Sequence, residues 1–112
     1  MRKVKVKICG LKRAQDIECV NKLLPDYIGF VFAKTKREVT EQQAAQLKAM
    51  LNPQIKAVGV FVNAEIDLIV RLAESRTIDI IQLHGDEDAA YCERLRLQTE
   101  LPIIKAVRVK DA

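Results

Sequence analysis

Five short apolar runs recur along the chain, each followed by a longer segment of helical periodicity. This alternation limits the fold more than any other feature. The runs are KVKVKIC at 3–9, YIGFVF at 27–32, KAVGVFV at 56–62, IDIIQL at 78–83 and PIIKAVRV at 102–109. The first intervening segment, 14–24, places Ile17, Val20, Leu23 and Leu24 on one helical face. The second, 41–51, carries Ala44, Leu47 and Leu51 behind a Thr40/Gln43 capping box. The third, 65–75, carries Ile66, Ile69, Val70 and Ala73 after Asn63 as N-cap. The fourth, 87–97, offers Ala90, Cys92, Leu95 and Leu97. Strands alternating with helices across short links imply parallel strands and right-handed crossovers.

Two architectures use this pattern. A doubly wound, flavodoxin-like sheet is complete at about this size. An eight-fold β/α barrel usually needs ~250 residues, and the chain has 112. Length favours the first; strand chemistry favours the second. In 3–9, Val4, Val6 and Ile8 share one face, and Lys3, Lys5, Lys7 and Cys9 share the other. A central strand with helices on both faces would bury those ammonium groups without partners, which is costly. In a barrel, helices cover one face only and the other opens toward water at the barrel ends. In 78–83, likewise, Ile81 and Leu83 oppose Ile80, Gln82 and the following His84. An edge strand guarded by lysines is the plainer alternative for 3–9.

Composition removes several function classes. Net charge is +4, but the cations are scattered, and the three Phe all lie inside apolar runs. This argues for a solvated surface and an anionic small-molecule substrate rather than nucleic acid. No apolar run reaches the ~20 residues of a membrane span. The first residues lack the apolar core of a signal peptide, so a cytoplasmic location is expected. The three cysteines, Cys9, Cys19 and Cys92, show no CxxC or Cys/His zinc spacing. A disulfide framework or metal site is not implied, and Cys19 and Cys92 read as core thiols on helix faces. There is no Walker or dinucleotide glycine loop, so no cofactor is implied. A signalling receiver would need acidic residues where Cys9-Gly10 and Val62-Asn63 stand.

Four stretches carry chemistry, each at the C-terminal end of a predicted strand: KICG (7–10), GFVFAKTKREV (29–39), VGVFVN (58–63) and QLHGDE (82–87). In this order and spacing they closely resemble phosphoribosylanthranilate isomerase, the β/α-barrel enzyme of tryptophan biosynthesis. The resemblance implies the first four βα units and the fifth strand of that barrel, a partial (β/α)8 fold with a parallel sheet. It also implies an Amadori rearrangement that needs no cofactor. An acid protonates the ribose ring oxygen of phosphoribosylanthranilate, a base removes the C2′ proton, and the enolamine tautomerises to the aminoketone.

Cys9 matches the family's general base. A free thiol ionises near pH ~8.5, so it needs nearby positive charge to act near neutrality. Lys7, two residues back on the same face and roughly 6–7 Å away, is the candidate supporting group. Arg37 matches the arginine that holds the anthranilate carboxylate, a task suited to a guanidinium. Here Thr35 and Lys36 stand where the family loop has Ser and Pro. Gln82 and His84 match the strand-four motif as substrate-side hydrogen-bonding groups. Asp86 and Glu87 are expected to open the next helix, where carboxylates favour the dipole. Lys12 stands where threonine is frequent, and no role is read from it.

The family's general-acid aspartate lies on a later strand, and its phosphate loops follow strands seven and eight. Asp111 follows strand five and does not match that acid. The 112 residues therefore read as one N-terminal half-barrel, an incomplete isomerase with little activity by itself. The competing expectation is a stand-alone half-barrel that self-associates through open sheet edges or binds a missing C-terminal half.

Overall fold

The computed structural model describes residues 7–105, with Lys7 described for its backbone only. Within them the elements are β1 (Lys7–Cys9), α1 (Ala14–Leu23), β2 (Tyr27–Phe32), α2 (Glu41–Met50), β3 (Lys56–Phe61), α3 (Ile66–Glu74), β4 (Ile80–Leu83), α4 (Ala89–Gln98) and β5 (Ile103–Lys105). The sheet runs β1-β2-β3-β4-β5 and every pairing is parallel. A doubly wound sheet reverses its strand order at a switch point. This one never does, so the order is that of a barrel wall.

The two faces of the sheet differ as the pattern predicts. Ile28, Phe30, Phe32, Ala57, Phe61, Ile81 and Leu83 form one buried cluster with Ile17 and Val20 of α1, Ala44 and Leu47 of α2, Ile69 and Leu72 of α3, and Leu95 of α4. All four helices therefore cover the same face. The other face carries Val31, Val60, Ile80 and Gln82, all half-buried, with Val58 buried outside that cluster. An open hollow on this face is lined by Tyr27, Val58, Ile80, Gln82 and Ile104. The lysine alternation at Lys3 and Lys5, and the residues from 106 onward, lie outside the described residues.

The core is anchored by an aromatic pair. Phe32 and Phe61 are register partners on adjacent strands, and their rings stack with centroids 5.2 Å apart and 11° between planes. Gly59 makes room for that ring, because a Cβ there would lie 2.9 Å from Phe61 Cε2. At the opposite end of the sheet Asp79 accepts from Ala57 N at 2.9 Å and pairs with Lys48 Nζ at 3.0 Å. Asn21 braces α1 there, donating to Met50 O and accepting from Asn52 N.

Several expectations are corrected. Thr40 caps α2 and Gln43 completes the capping box, as read. Asn63, however, is not a cap: Glu65 occupies that position, and Asn63 sits in left-handed backbone at φ +50°. Leu23 and Leu24 leave the core, because the chain reverses at Leu24 in the αL conformation that ends α1. Leu72 takes the core position on α3 that the periodicity reading omitted. On α4 only Leu95 is buried, and Leu97 is 86% exposed. Cys19 is exposed rather than a core thiol; Cys92 is half-buried against the core. Asp86 and Glu87 precede α4, whose N-cap is Asp88.

Candidate active site at the C-terminal ends of the strands

Cys9 ends β1 and pairs with Gly29 of β2. Its thiol leans over Gly29, where any Cβ would collide with Sγ, so the glycine creates the space the thiol occupies. Gly10 N then donates to Gly29 O at 2.9 Å. Gly10 adopts φ +82°, a conformation that favours glycine, and turns the chain out of the sheet. Arg37 crosses directly above it, since a Cβ on Gly10 would lie 2.5 Å from Arg37 Cδ and 3.3 Å from Nη1. Arg37 thus packs over the residue that follows Cys9, and both the thiol and the guanidinium are exposed at the C-terminal end of β1.

The loop that carries Arg37 is held by its own hydrogen bonds. Thr35 Oγ1 accepts from Arg37 N at 3.1 Å, and Glu38 N donates to Thr35 O at 3.2 Å. Val39 N donates to Val31 O at 2.9 Å, closing the loop against its own strand. Lys12 extends from the first loop and donates to Lys36 O at 3.1 Å. The sequence alone assigned nothing to Lys12, and nothing in its local pattern points to a partner 24 residues away.

Gln82 and His84 lie farther round the wall. The register aligns Cys9 with Gly29, Val58 and Ile80, and aligns Val31 with Val60, Gln82 and Ile104. Gln82 is therefore one layer nearer the strand ends than Cys9 and three strand spacings away, about 14 Å along the sheet. His84 is the exposed residue just past β4, with its N–H donated to Phe61 O at 2.8 Å. Arg37 lies over Gly10, next to Cys9 in the chain, and the register does not bring Gln82 or His84 against them. The side chain of Lys7, the candidate supporting group, lies outside the described residues.

A family model described as N-(5'phosphoribosyl)anthranilate (PRA) isomerase matches residues 6–112. The chain belongs to the phosphoribosylanthranilate isomerase family. It is 52% identical over 107 residues to the N-(5'-phosphoribosyl)anthranilate isomerase of Endomicrobium trichonymphae, covering 96% of this chain and 54% of that protein. The Lachnoclostridium phytofermentans isomerase is 51% identical over 108 residues, with 96% and 50% covered. Among solved structures, a Thermotoga maritima isomerase superposes with a TM-score of 0.84 at 35% identity, covering 96% of this chain and 55% of that one. An isomerase bound to reduced 1-(o-carboxyphenylamino)-1-deoxyribulose 5-phosphate superposes with a TM-score of 0.82 at 34% identity, with 96% and 55% covered. The chain thus spans about half the length of the relatives it matches, and its fold is the first five strands of this family's β/α barrel.

Within this family half-barrel, one buried acid stands out from the sequence reading. Glu87 does not open α4; its side chain is fully enclosed and pairs with Lys105 Nζ at 2.9 Å. It also accepts from Asn63 N at 2.8 Å and Gly85 N at 3.0 Å. Burial by itself raises the Glu87 carboxyl, but the Lys105 ammonium and these backbone N–H groups outweigh it and hold the group below its ordinary 4.5. A carboxyl depressed on folding contributes stability that is complete above its unfolded value and is lost as pH falls through the folded one. The urea midpoint should therefore fall on acidification below about pH 4.5, and E87Q should flatten that fall. An unchanged acid limb in E87Q would remove Glu87 from the cause.

Proposed function

We propose that residues 1–112 are the N-terminal half-barrel of a phosphoribosylanthranilate isomerase domain, and that they supply its base and its carboxylate clamp. The observation that carries this reading is the packing of Arg37 over Gly10, the residue that follows Cys9 at the end of β1. The substrate bears a carboxylate on one ring and a reacting C2′ proton near the linking nitrogen. An arginine and a base at the same strand end suit both, since the guanidinium fixes the anthranilate carboxylate while the thiolate removes the proton. Lys7 supports the thiolate, and Gln82 and His84 contact the substrate from the far wall. The ring-opening acid and the phosphate site belong to later strands of the family barrel. The three free cysteines suit a reducing, cytoplasmic setting, and no helix among the described residues is long and apolar enough to cross a membrane.

The test joins this chain to the second half of the Thermotoga maritima isomerase and follows consumption of phosphoribosylanthranilate. Turnover by the joined barrel, with little by the 112-residue chain alone, is the expected result. Equal turnover by both would overturn the division of labour. In the joined barrel, R37K should raise KM about tenfold or more, because an ammonium loses the forked pairing with a carboxylate. An unchanged KM would place the carboxylate elsewhere.

One observation favours a second reading, a self-associating half-barrel. The edge strand β5 shows Ile104 49% exposed on the face that a closed barrel would enclose. Sedimentation across a range of concentrations decides between them. A monomer throughout rejects self-association.

A further inference from the structure

We infer that Glu87 is a positioning residue that fixes the His84–Asp86 turn at the mouth of the half-barrel. The inference rests on the isomerase reading for its catalytic meaning, but its geometry stands by itself. Glu87 gathers donors from three successive units: Asn63 N beyond β3, Gly85 N beyond β4, and Lys105 Nζ on β5. The same turn is tied again by Asp86 N, which donates to Asn63 Oδ1 at 2.9 Å, and by Lys105 Nζ, which also donates to Gly85 O. Lys105 is the register partner of Leu83, so its side chain leaves β5 on the core side of the sheet.

Glu87 is therefore on the opposite face from Cys9 and Gln82, and it acts through backbone. The groups it holds flank His84 closely: Gly85 follows it directly, and Asn63 lies two residues beyond Phe61, whose carbonyl accepts His84 N. Asn63 keeps a left-handed φ of +50° in this arrangement. Gly85 is confined as well, since a Cβ there would lie 2.9 Å from Asn63 Oδ1. Replacing the carboxylate by an amide removes one of its two acceptor oxygens and the charge opposite Lys105, which keeps Gly85 O, so a backbone donor loses its acceptor and the turn must open to find water. The Lys48–Asp79 pair offers the same chemistry at the other end of the sheet, far from the mouth.

The experiment uses the 112-residue chain labelled with 15N and 13C, as wild type, E87Q and D79N. In the wild type, a scalar coupling across the hydrogen bond should connect Asn63 15N to the Glu87 carboxyl carbon. In E87Q, exchange of the Asn63 and Gly85 amides should rise about tenfold relative to that of Ile81, and the His84 ring resonances should move. D79N should leave both unchanged relative to the core, although it also weakens the fold. A missing coupling overturns the inference. So does an equal response of E87Q and D79N at Asn63, Gly85 and His84, which marks a merely structural acid. If E87Q does not fold, the wild-type coupling still decides. No turnover is measured, so this result and the fate of the isomerase reading are independent.

Discussion

Replacing Cys9 by serine in the barrel completed with the Thermotoga maritima second half should lower kcat by about 10²–10⁴-fold, the usual worth of a positioned base. The hydroxyl is nearly isosteric with the thiol but too weak an acid to be populated as the anion near neutrality. Because Cys9 is exposed and its Sγ rests against Gly29, the substitution leaves no cavity and should barely move the unfolding midpoint. KM should change little, since the thiol is not among the groups proposed to bind the carboxylate. A kcat within about threefold of the unmodified barrel would end the assignment of Cys9 as base. G29A offers an independent check, since its new methyl must displace the thiol. A displacement of about 1 Å can cost roughly 10²-fold.

The largest expected effect on stability is at Phe61. F61A should destabilise the chain by about 3–5 kcal/mol, the range for deleting a buried aromatic ring. Phe61 is fully buried, stacked on Phe32, and flanked by Gly59, whose missing side chain leaves nothing to fill the void. Small domains are stable by only ~5–15 kcal/mol, so much of the population should unfold. F61L, which keeps most of the volume, should cost less than about half as much. Urea unfolding measures both. A cost for F61A below about 1.5 kcal/mol would mean that the aromatic pair is not the anchor of the sheet.

How much could be read before the structure differs by element. The strand and helix alternation was plain because each strand pairs with its sequential neighbour, and local periodicity is all that such an arrangement requires. The one-sided chemistry of IDIIQL was likewise borne out: Ile81 and Leu83 are buried, while Ile80 and Gln82 face the other side. Helix faces were less legible. Leu23 and Leu97 continue an apolar periodicity, but each sits near a helix end, where the chain is already leaving the sheet. Cys19 shows the same limit, since α1 buries only Ile17 and Val20 and leaves position 19, between them, in water.

By itself the sequence determined the class of fold, the order of its elements, the capping of α2 and the motifs that carry the family chemistry. All of these depend on residues close together in the chain. Tertiary structure alone decided the sheet order that separates a barrel wall from a doubly wound sheet. It also decided that Arg37 lies over Gly10, that Lys12 reaches Lys36, and that Glu87 faces Lys105 rather than the start of α4. Those are contacts between residues 18–27 positions apart, fixed by strand register and by glycines that admit close approach. A one-dimensional pattern carries the period of each element but not the register between elements, and the site is built from register.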